Sequence, residues 1–269
     1  MKPRFKAIAL ISDFGVQDLY VGVMKGVIAR IAAGTQCIDI CHTVPQGDIW
    51  KAAFLLSHAY AFFPKGTVFL AVVDPGVGSE RRPIAVKTRQ YVFVGPDNGV
   101  LSLAAKKDGI ESLYEAAYRD LFTPAPSSTF EGRDLFAPLA AHCALGKKVY
   151  KRLNPVPISS LTMLSMPIPE VYDTTVEAKV VYIDSFGNIV IAVQPDDCHR
   201  FLKEGYAASF KKKRIRNFYE YYAQAPAAEV FFTISSFGYV EIAVKNGNAA
   251  QKLKASVGDR VVFKKSKRR

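Results

Sequence analysis

A chain of 269 residues, 49% hydrophobic and 12% aromatic, is long enough to bury one large core or two modest ones, which sets aside the disordered and fibrous classes. Four cysteines (Cys37, Cys41, Cys143, Cys198) are too few and too scattered for a disulfide framework and read as free thiols. The net charge of +12 is concentrated late: residues 174–269 hold 17 Lys and Arg against 9 Asp and Glu.

The N-terminus, Met1-Lys2-Pro3-Arg4-Phe5-Lys6, runs directly into a strand pattern without the apolar core and cleavage site of a signal peptide, so a cytoplasmic location is expected. Lys6–Ser12 is apolar and strand-length. Asp18–Ala33 carries Leu19, Val23, Val27, Ile28 and Ile31 at helical spacing, and Gln36–Cys41 alternates like a strand. That alternation, and the lack of a second ligand pair, argue against a metal at Cys37, Cys41 and His42; no metal is expected. Ile49–Phe63 reads as an amphipathic helix, followed by strands at Thr67–Val73, Pro83–Lys87 and Tyr91–Val94 and a helix at Gly132–Leu145. Strand and helix in alternation specify an α/β layered N-terminal domain with a mainly parallel sheet, assigned to residues 1–153.

From Asn154 the texture changes, with Pro155, Pro157, Pro167 and Pro169 interrupting short apolar pieces, so residues 154–173 read as a linker. Beyond it, Val176–Asp184, Asn188–Val193, Ala207–Phe210, Glu229–Ser235, Tyr239–Val244 and Arg260–Lys264 are short strand patterns, with a weak helical signal at Ala249–Leu253. Their spacing suggests a C-terminal antiparallel β-barrel domain over residues 174–269. No apolar stretch makes a convincing membrane span. The basic clusters Lys211-Lys212-Lys213-Arg214-Ile215-Arg216 and Lys264–Arg269 read as solvated loop and tail, and no nucleic-acid-binding motif accompanies them.

Four strand-to-loop transitions carry polar residues where an open α/β sheet binds ligands, outside the carboxyl ends of its strands. Asp13, in Ser12-Asp13-Phe14-Gly15, is placed to accept both hydroxyls of a ribose; as a helix N-cap, Asp13 or Asp18 would serve equally. The apolar run ending at Val73 stops at Asp74-Pro75-Gly76-Val77-Gly78-Ser79-Glu80-Arg81-Arg82, a tight loop that brings opposite charges together, either as chemistry or as a surface ion pair. Ser127-Ser128-Thr129-Phe130-Glu131-Gly132-Arg133-Asp134 enters an apolar helix, with Ser128 or Thr129 as a cap, while Arg133, unfavourable at a helix start, hints at a specific partner. Tyr182-Ile183-Asp184-Ser185-Phe186-Gly187-Asn188 reads as a hairpin turn that also offers a carboxylate for an ammonium group and a face for a purine.

These segments, with Tyr20-Val21-Gly22, Pro96-Asp97-Asn98-Gly99 and Glu241-Ile242-Ala243-Val244, resemble in order and spacing the S-adenosyl-L-methionine (SAM) hydroxide adenosyltransferases, adenosine-forming SAM hydrolases related to the SAM-dependent fluorinase and chlorinase. The resemblance is nearly full length. It implies an N-terminal α/β domain, a C-terminal β-barrel, and a homotrimer whose sites lie between the N-terminal domain of one subunit and the C-terminal domain of the next. It also implies that SAM is the substrate, that no cofactor is needed, and that water and SAM give adenosine and methionine. Carried over by position, Asp13 would hold the ribose, with Tyr20 beside it. Phe186 and Asn188 would receive the adenine, with Tyr222 as a second aromatic wall. Asp184 would meet the methionine ammonium, and Ser236, Glu241 and Val244 would line the remainder. Asp74 and Arg81 match two members of the family's water-handling Asp, Arg and His set. The third departs, because Glu131 stands where the family usually has His, and none of His42, His58, His142 and His199 falls in a family motif.

Substitution at C5′ of SAM expels a neutral thioether, so the site must supply position, dryness and a base for water rather than an acid for the leaving group. Asp74 is the candidate base, with Arg81 orienting it and Glu131 tuning it. Halide transfer is disfavoured by the two carboxylates. A catalytically weak SAM or adenosine binding protein, with Glu131 marking lost chemistry, and an RNA-associated protein are the competing readings.

Overall fold

The computed structural model describes residues 6–116, 129–146, 148–197, 206–211 and 213–265. Ser127, Ser128, Cys198, His199, Lys212 and the tail from Ser266 lie outside the described residues. The chain divides into two compact units, Met1–Ser165 and Met166–Arg269. Among the described residues no helix is long and apolar enough to cross a membrane.

The first unit is built on β1 (Ala7–Ser12), β2 (Gln36–Cys41), β3 (Val68–Val72), β4 (Pro83–Thr88), β5 (Val92–Pro96), β6 (Ile110–Glu115) and β7 (Asn154–Val156), in the order β2-β1-β3-β5-β4-β6-β7. Strands β2, β1, β3 and β5 are mutually parallel, whereas β4, β6 and β7 pair antiparallel. The parallel character expected of this sheet thus belongs to its β2-β1-β3-β5 half. Strand β6 and a short helix before it, α3 (Ser102–Asp108), had no clear periodic signal in sequence, and β7 draws the start of the proline-rich stretch into the sheet edge.

Alternation along the buried strands sends Ile8, Leu10, Val68, Leu70 and Val72 to one face, where α1 (Tyr20–Ile31) and α4 (Ala137–Leu145) pack, and Ala9, Ile11, Phe69, Ala71 and Val73 to the other, against α2 (Ile49–Ala59) and α3. Both sides of each central strand are therefore dry, which is why these segments read as unbroken apolar runs. Each buried Val, Leu or Phe contributes about 1.5–3 kcal/mol relative to exposure, so the strand ends are held on a rigid platform. The chain leaves β1 through α1 to β2, then returns through α2 to β3 on the other side of β1, with the two helices on opposite faces. The carboxyl ends of β1 and β3 accordingly flank a topological switch point, the usual ligand crevice of such sheets.

The second unit is an antiparallel, nearly closed barrel-like sheet, with order β12-β11-β15-β9-β10-β14-β13. Its strands are β8 (Glu170–Val171), which pairs with β9, then β9 (Thr175–Ile183), β10 (Ile189–Ile191), β11 (Tyr206–Phe210), β12 (Lys213–Ile215), β13 (Val230–Ile234), β14 (Val240–Val244) and β15 (Arg260–Lys265). Strand β9 is the spine: its first half pairs with β15 and its second with β10. Val176, Ala178 and Val180 point into the core, and α5 (Ala249–Leu253) adds Ala249 and Leu253 to it. A bridge from Phe218 to Phe232 brings the chain after β12 back to β13. The basic cluster around Lys213 is not simply a solvated loop. Buried Ile215 anchors Lys213–Ile215 as an edge strand, and exposed Lys213 and Arg214 are the kind of residue that protects an open edge.

Candidate active site

In the first unit, Ser12 at the end of β1 stands opposite Val72 of β3, so Asp13 and Asp74 both emerge at the switch point. Asp13 does not cap α1, whose N-cap residue is Leu19 with no side-chain hydrogen bond. Its Oδ2 instead accepts from the Gly47 N–H at 2.8 Å, which orients the carboxylate from the neighbouring loop. Beneath it, the Ser12 Oγ and His42 Nδ1 lie 2.7 Å apart, and the Gly15 N–H donates to the His42 carbonyl at 2.7 Å. Phe14, Tyr20 and Phe130 form an aromatic wall with centroids 5.0–5.7 Å apart.

The Asp74 loop folds on itself through Val77 N–H to Asp74 O and Ser79 N–H to Gly76 O, with Gly78 in the left-handed region at φ +79°. This returns Arg81 to Asp74: its Nε donates to Oδ2 at 2.8 Å and its Nη2 lies 2.5 Å from the same oxygen. The Nη2 also pairs with Glu131 Oε2. The pairing is buried, with side-chain exposures of 11% for Arg81, 6% for Asp74 and 7% for Glu131, so the surface ion pair considered above does not describe it. Arg81 also sits 5.2 Å from the Phe136 ring centre. Two carboxylates share one guanidinium, leaving the trio with an excess negative charge when both are ionised. Asp74 Oδ1 is buried without a hydrogen-bond partner. An unpaired, buried carboxylate oxygen on a residue that lines a cavity is the kind of acceptor that a ligand or water donor completes.

Glu131 precedes a widened, π-type turn at Gly132–Phe136 that leads into α4, so the expected single helix begins irregularly. It stands at the N-cap position without a side-chain capping bond. Arg133 finds its partner next door: Nε and Nη2 donate to Asp134 at 2.6 and 2.7 Å, and the guanidinium lies 5.3 Å from the Phe130 centroid. Asp13, Tyr20, Asp74 and Glu131 line one cavity of about 660 Å³, with Arg81 behind the two carboxylates. Among the described residues no histidine lines it.

The second unit gathers Asp184, Phe186, Asn188, Tyr222, Ser236, Glu241 and Val244 around a separate cavity of about 850 Å³. The β9–β10 turn is knit by Asp184: Oδ1 accepts from the Phe186 and Asn188 N–H groups at 2.9 and 2.8 Å, and Oδ2 from Asn188 Nδ2 at 2.9 Å. Gly187 is required here, since φ is +85° and a Cβ would lie 2.1 Å from the Asn248 side chain. Phe186 is thereby pushed outward, 76% exposed. Asn188 Nδ2 also donates to the Tyr222 hydroxyl at 3.3 Å, and that hydroxyl donates to Glu241. Burial, with the negative charge of Asp184 adding to it, pushes the Glu241 carboxyl up to about 7 against the opposing Tyr222 hydrogen bond. Burial and Glu241 together raise the Tyr222 phenol well above its ordinary value. Ser236 is exposed at the rim and Val244 buried.

Every sequence-nominated residue falls in one of these two sets. Sequence reasoning missed Gly47, which acts through its backbone and carries no side-chain signal, and Phe237, which packs edge-on to Tyr182 at 5.4 Å. Phe14 and Phe130 stood inside noted segments, yet their contact with each other across 116 residues is a property of the fold.

Sequence models of the two halves of one family match this chain: the SAM hydroxide adenosyltransferase N-terminal domain over residues 8–152 and the C-terminal domain over residues 178–262. The chain is 36% identical to the (R)-S-adenosyl-L-methionine hydrolase of Salinispora tropica, with 94% of this chain and 96% of that protein covered. It is also 36% identical to the enzyme of the same name from Thermus thermophilus, over 92% and 95%. A fluorinase from Actinopolyspora mzabensis is more distant, 27% identical over 71% of this chain and 72% of that one. A crystal structure of an uncharacterised conserved protein from Thermotoga maritima superposes with a TM-score of 0.85 at 35% identity, covering 95% of this chain and 99% of that one.

Proposed function

Since the chain belongs to the SAM hydroxide adenosyltransferase family, we propose that it hydrolyses S-adenosyl-L-methionine to adenosine and L-methionine, with Asp74 as the base that activates water. The observation that carries the assignment of the base is the unpartnered, buried Asp74 Oδ1, whose sister oxygen is held by Arg81. Water held at Oδ1 is fixed for in-line attack; its oxygen bonds to C5′, the C5′–S bond breaks, its electron pair stays on sulfur as methionine leaves, and the proton passes to Asp74. The neutral thioether needs no acid. The carboxylates of Asp74 and Glu131 suit a sulfonium and repel a halide, so water is preferred over halide as nucleophile.

In this reading Asp13 accepts the ribose hydroxyls beside Tyr20, Phe186 and Tyr222 flank the adenine with Asn188 at its edge, and Asp184 meets the ammonium group. Ser236, Glu241 and Val244 line the remainder. Each unit then supplies half of the ligand shell, and a homotrimer, in which the N-terminal unit of one subunit and the C-terminal unit of the next share one SAM, accounts for both halves. Free thiols at Cys37, Cys41 and Cys143 suit a reducing cytoplasm.

Chromatography of purified protein incubated with SAM, with and without halide, tests the activity. Adenosine and methionine should form regardless of halide. Asp74→Asn keeps the shape and loses the proton acceptor, so adenosine formation should fall by about a hundredfold or more while ligand binding persists. An Asp74→Asn protein as active as the parent would remove Asp74 from the mechanism.

A further inference from the structure

The Pro96-Asp97-Asn98-Gly99 segment lies outside the cavity lining, yet it touches the Asp74 loop at both ends. Asn98 Nδ2 donates to the carbonyl of Val73, the residue before Asp74, at 2.9 Å. Asp97 Oδ2 accepts from Arg82, the residue after Arg81, through Nε at 3.1 Å and also through Nη2. The backbone repeats this tie, since the Asp97 N–H donates to the Arg82 carbonyl at 2.9 Å. The two anchors are themselves held. Asn98 Oδ1 accepts from the Val100 N–H at 3.2 Å, and Asp97 Oδ1 from the Thr162 N–H at 2.9 Å, with the Asp97 side chain only 4% exposed. Just upstream, a Cβ on Gly95 would lie 2.3 Å from the Ala71 carbonyl, so β5 is pressed against the end of β3.

We propose that Asp97 and Asn98 are positioning residues that clamp the two ends of the 74–81 loop and so set the separation and orientation of Asp74 and Arg81. A loop tied only by the Asp74–Arg81 pair could drift as a unit relative to β1 and Asp13. Tying Val73 and Arg82 to the end of β5 fixes both partners to the sheet. Near-attack geometry is sensitive on this scale: a displacement of about 1 Å can cost about a hundredfold in rate. The functional consequence rests on the assignment of Asp74 and Arg81 above, but the mechanical claim can be read without turnover.

Asn98→Asp is nearly isosteric, keeps the acceptor for Val100, and replaces the donor to Val73 with an oxygen. We expect kcat to fall by about tenfold to a hundredfold with the KM for SAM within about twofold of the parent, because the ligand shell is untouched. In protein labelled with ¹⁵N-arginine, with the Arg81 Nε–H signal assigned by its absence from Arg81→Lys, exchange of that proton with solvent should quicken by about tenfold. Asp97→Asn, which removes the charge opposite Arg82, should do the same and carries the test if Asn98→Asp does not fold. Parent-like kcat and parent-like Arg81 exchange in a folded variant would overturn the clamp, as would a loss confined to KM or a loss of folding in both variants. If the parent forms no adenosine, the hydrolase assignment fails by itself, while the exchange rates still decide whether the clamp holds Arg81.

Discussion

Replacing Glu241 by Gln isolates the most perturbed carboxyl among the described residues of the second unit. Glu241 is buried on β14, donates nothing when ionised, and faces the Tyr222 hydroxyl and the charge of Asp184. Its carboxyl goes from 4.5 to about 7 on folding. The folded state therefore holds a proton that the unfolded chain has released between these values, and stability that is fully present below about 4.5 is lost as pH rises through about 7. At 1.36 kcal/mol per pH unit the gap amounts to about 3 kcal/mol, largely the desolvation of a carboxylate with one hydroxyl donor. Gln keeps the acceptor for Tyr222 and carries no charge at any pH. Opening free energies for β10 and β14, measured by hydrogen exchange with mass spectrometry and corrected for intrinsic rates, should fall between pH 5 and pH 8 in the parent by up to about 3 kcal/mol more than in Glu241→Gln. Parallel pH dependences for the two proteins would refute the reasoning.

At Glu131, substitution by His installs the residue that the family resemblance leads one to expect; adenosine release should persist with its pH optimum shifted upward, because an imidazolium would face Arg81 below about pH 6.5. If Glu131 served only the helix dipole, the pH–rate profile would not move. Asp13→Ala removes a side-chain acceptor oriented by the Gly47 N–H, so calorimetry should show adenosine affinity falling by about tenfold to a hundredfold. Light scattering should give a mass near three times 29.6 kDa, and a monomer that turns over SAM would contradict the shared-site arrangement.

The parts of the fold that announced themselves were those where local pattern and burial agree. Strand β3, buried on both faces, reads as Val68–Val72 without a polar interruption, and β9 alternates Val176, Ala178 and Val180 against Glu177 and Lys179. Segment Ser102–Leu113 did not, because α3 is barely two turns long and β6 is half-buried, too short and mixed for periodicity to distinguish them. For the site, the charged and aromatic residues were legible as loops at strand ends. Their partners were not: nothing local says that Arg81 reaches Glu131 fifty residues on, that Asn98 reaches Val73, or that Arg133 is spent on its own neighbour Asp134. Such pairings are set by strand order, here the insertion of β3 between β1 and β5, which no single segment encodes.

The substitution of a carboxylate for an imidazole acquires a physical rationale once the charge flow of the proposed reaction is followed. In bound SAM the positive charge sits on sulfur; as the C5′–S bond stretches it leaves the sulfur and develops on the attacking water, which becomes acidic. A carboxylate beside that water gains interaction energy as the transition state forms, which is the differential stabilisation that accelerates a step. How much Asp74 can gain depends on how far its own charge is already spent. With Arg81 committed to Asp74 alone, the pair would be closely neutral and would gain little as charge develops on the water. Glu131 pairs with the same guanidinium nitrogen, so Arg81 still orients Asp74 through Nε while its positive charge also faces a second carboxylate. Oδ1, the oxygen that Arg81 does not touch, is where the uncompensated charge is available. In the proposed reaction a second carboxylate thus does not stand in for an imidazole as a proton carrier; it shares Arg81 with Asp74 and leaves the trio with a net negative charge to meet the positive charge that develops on the water.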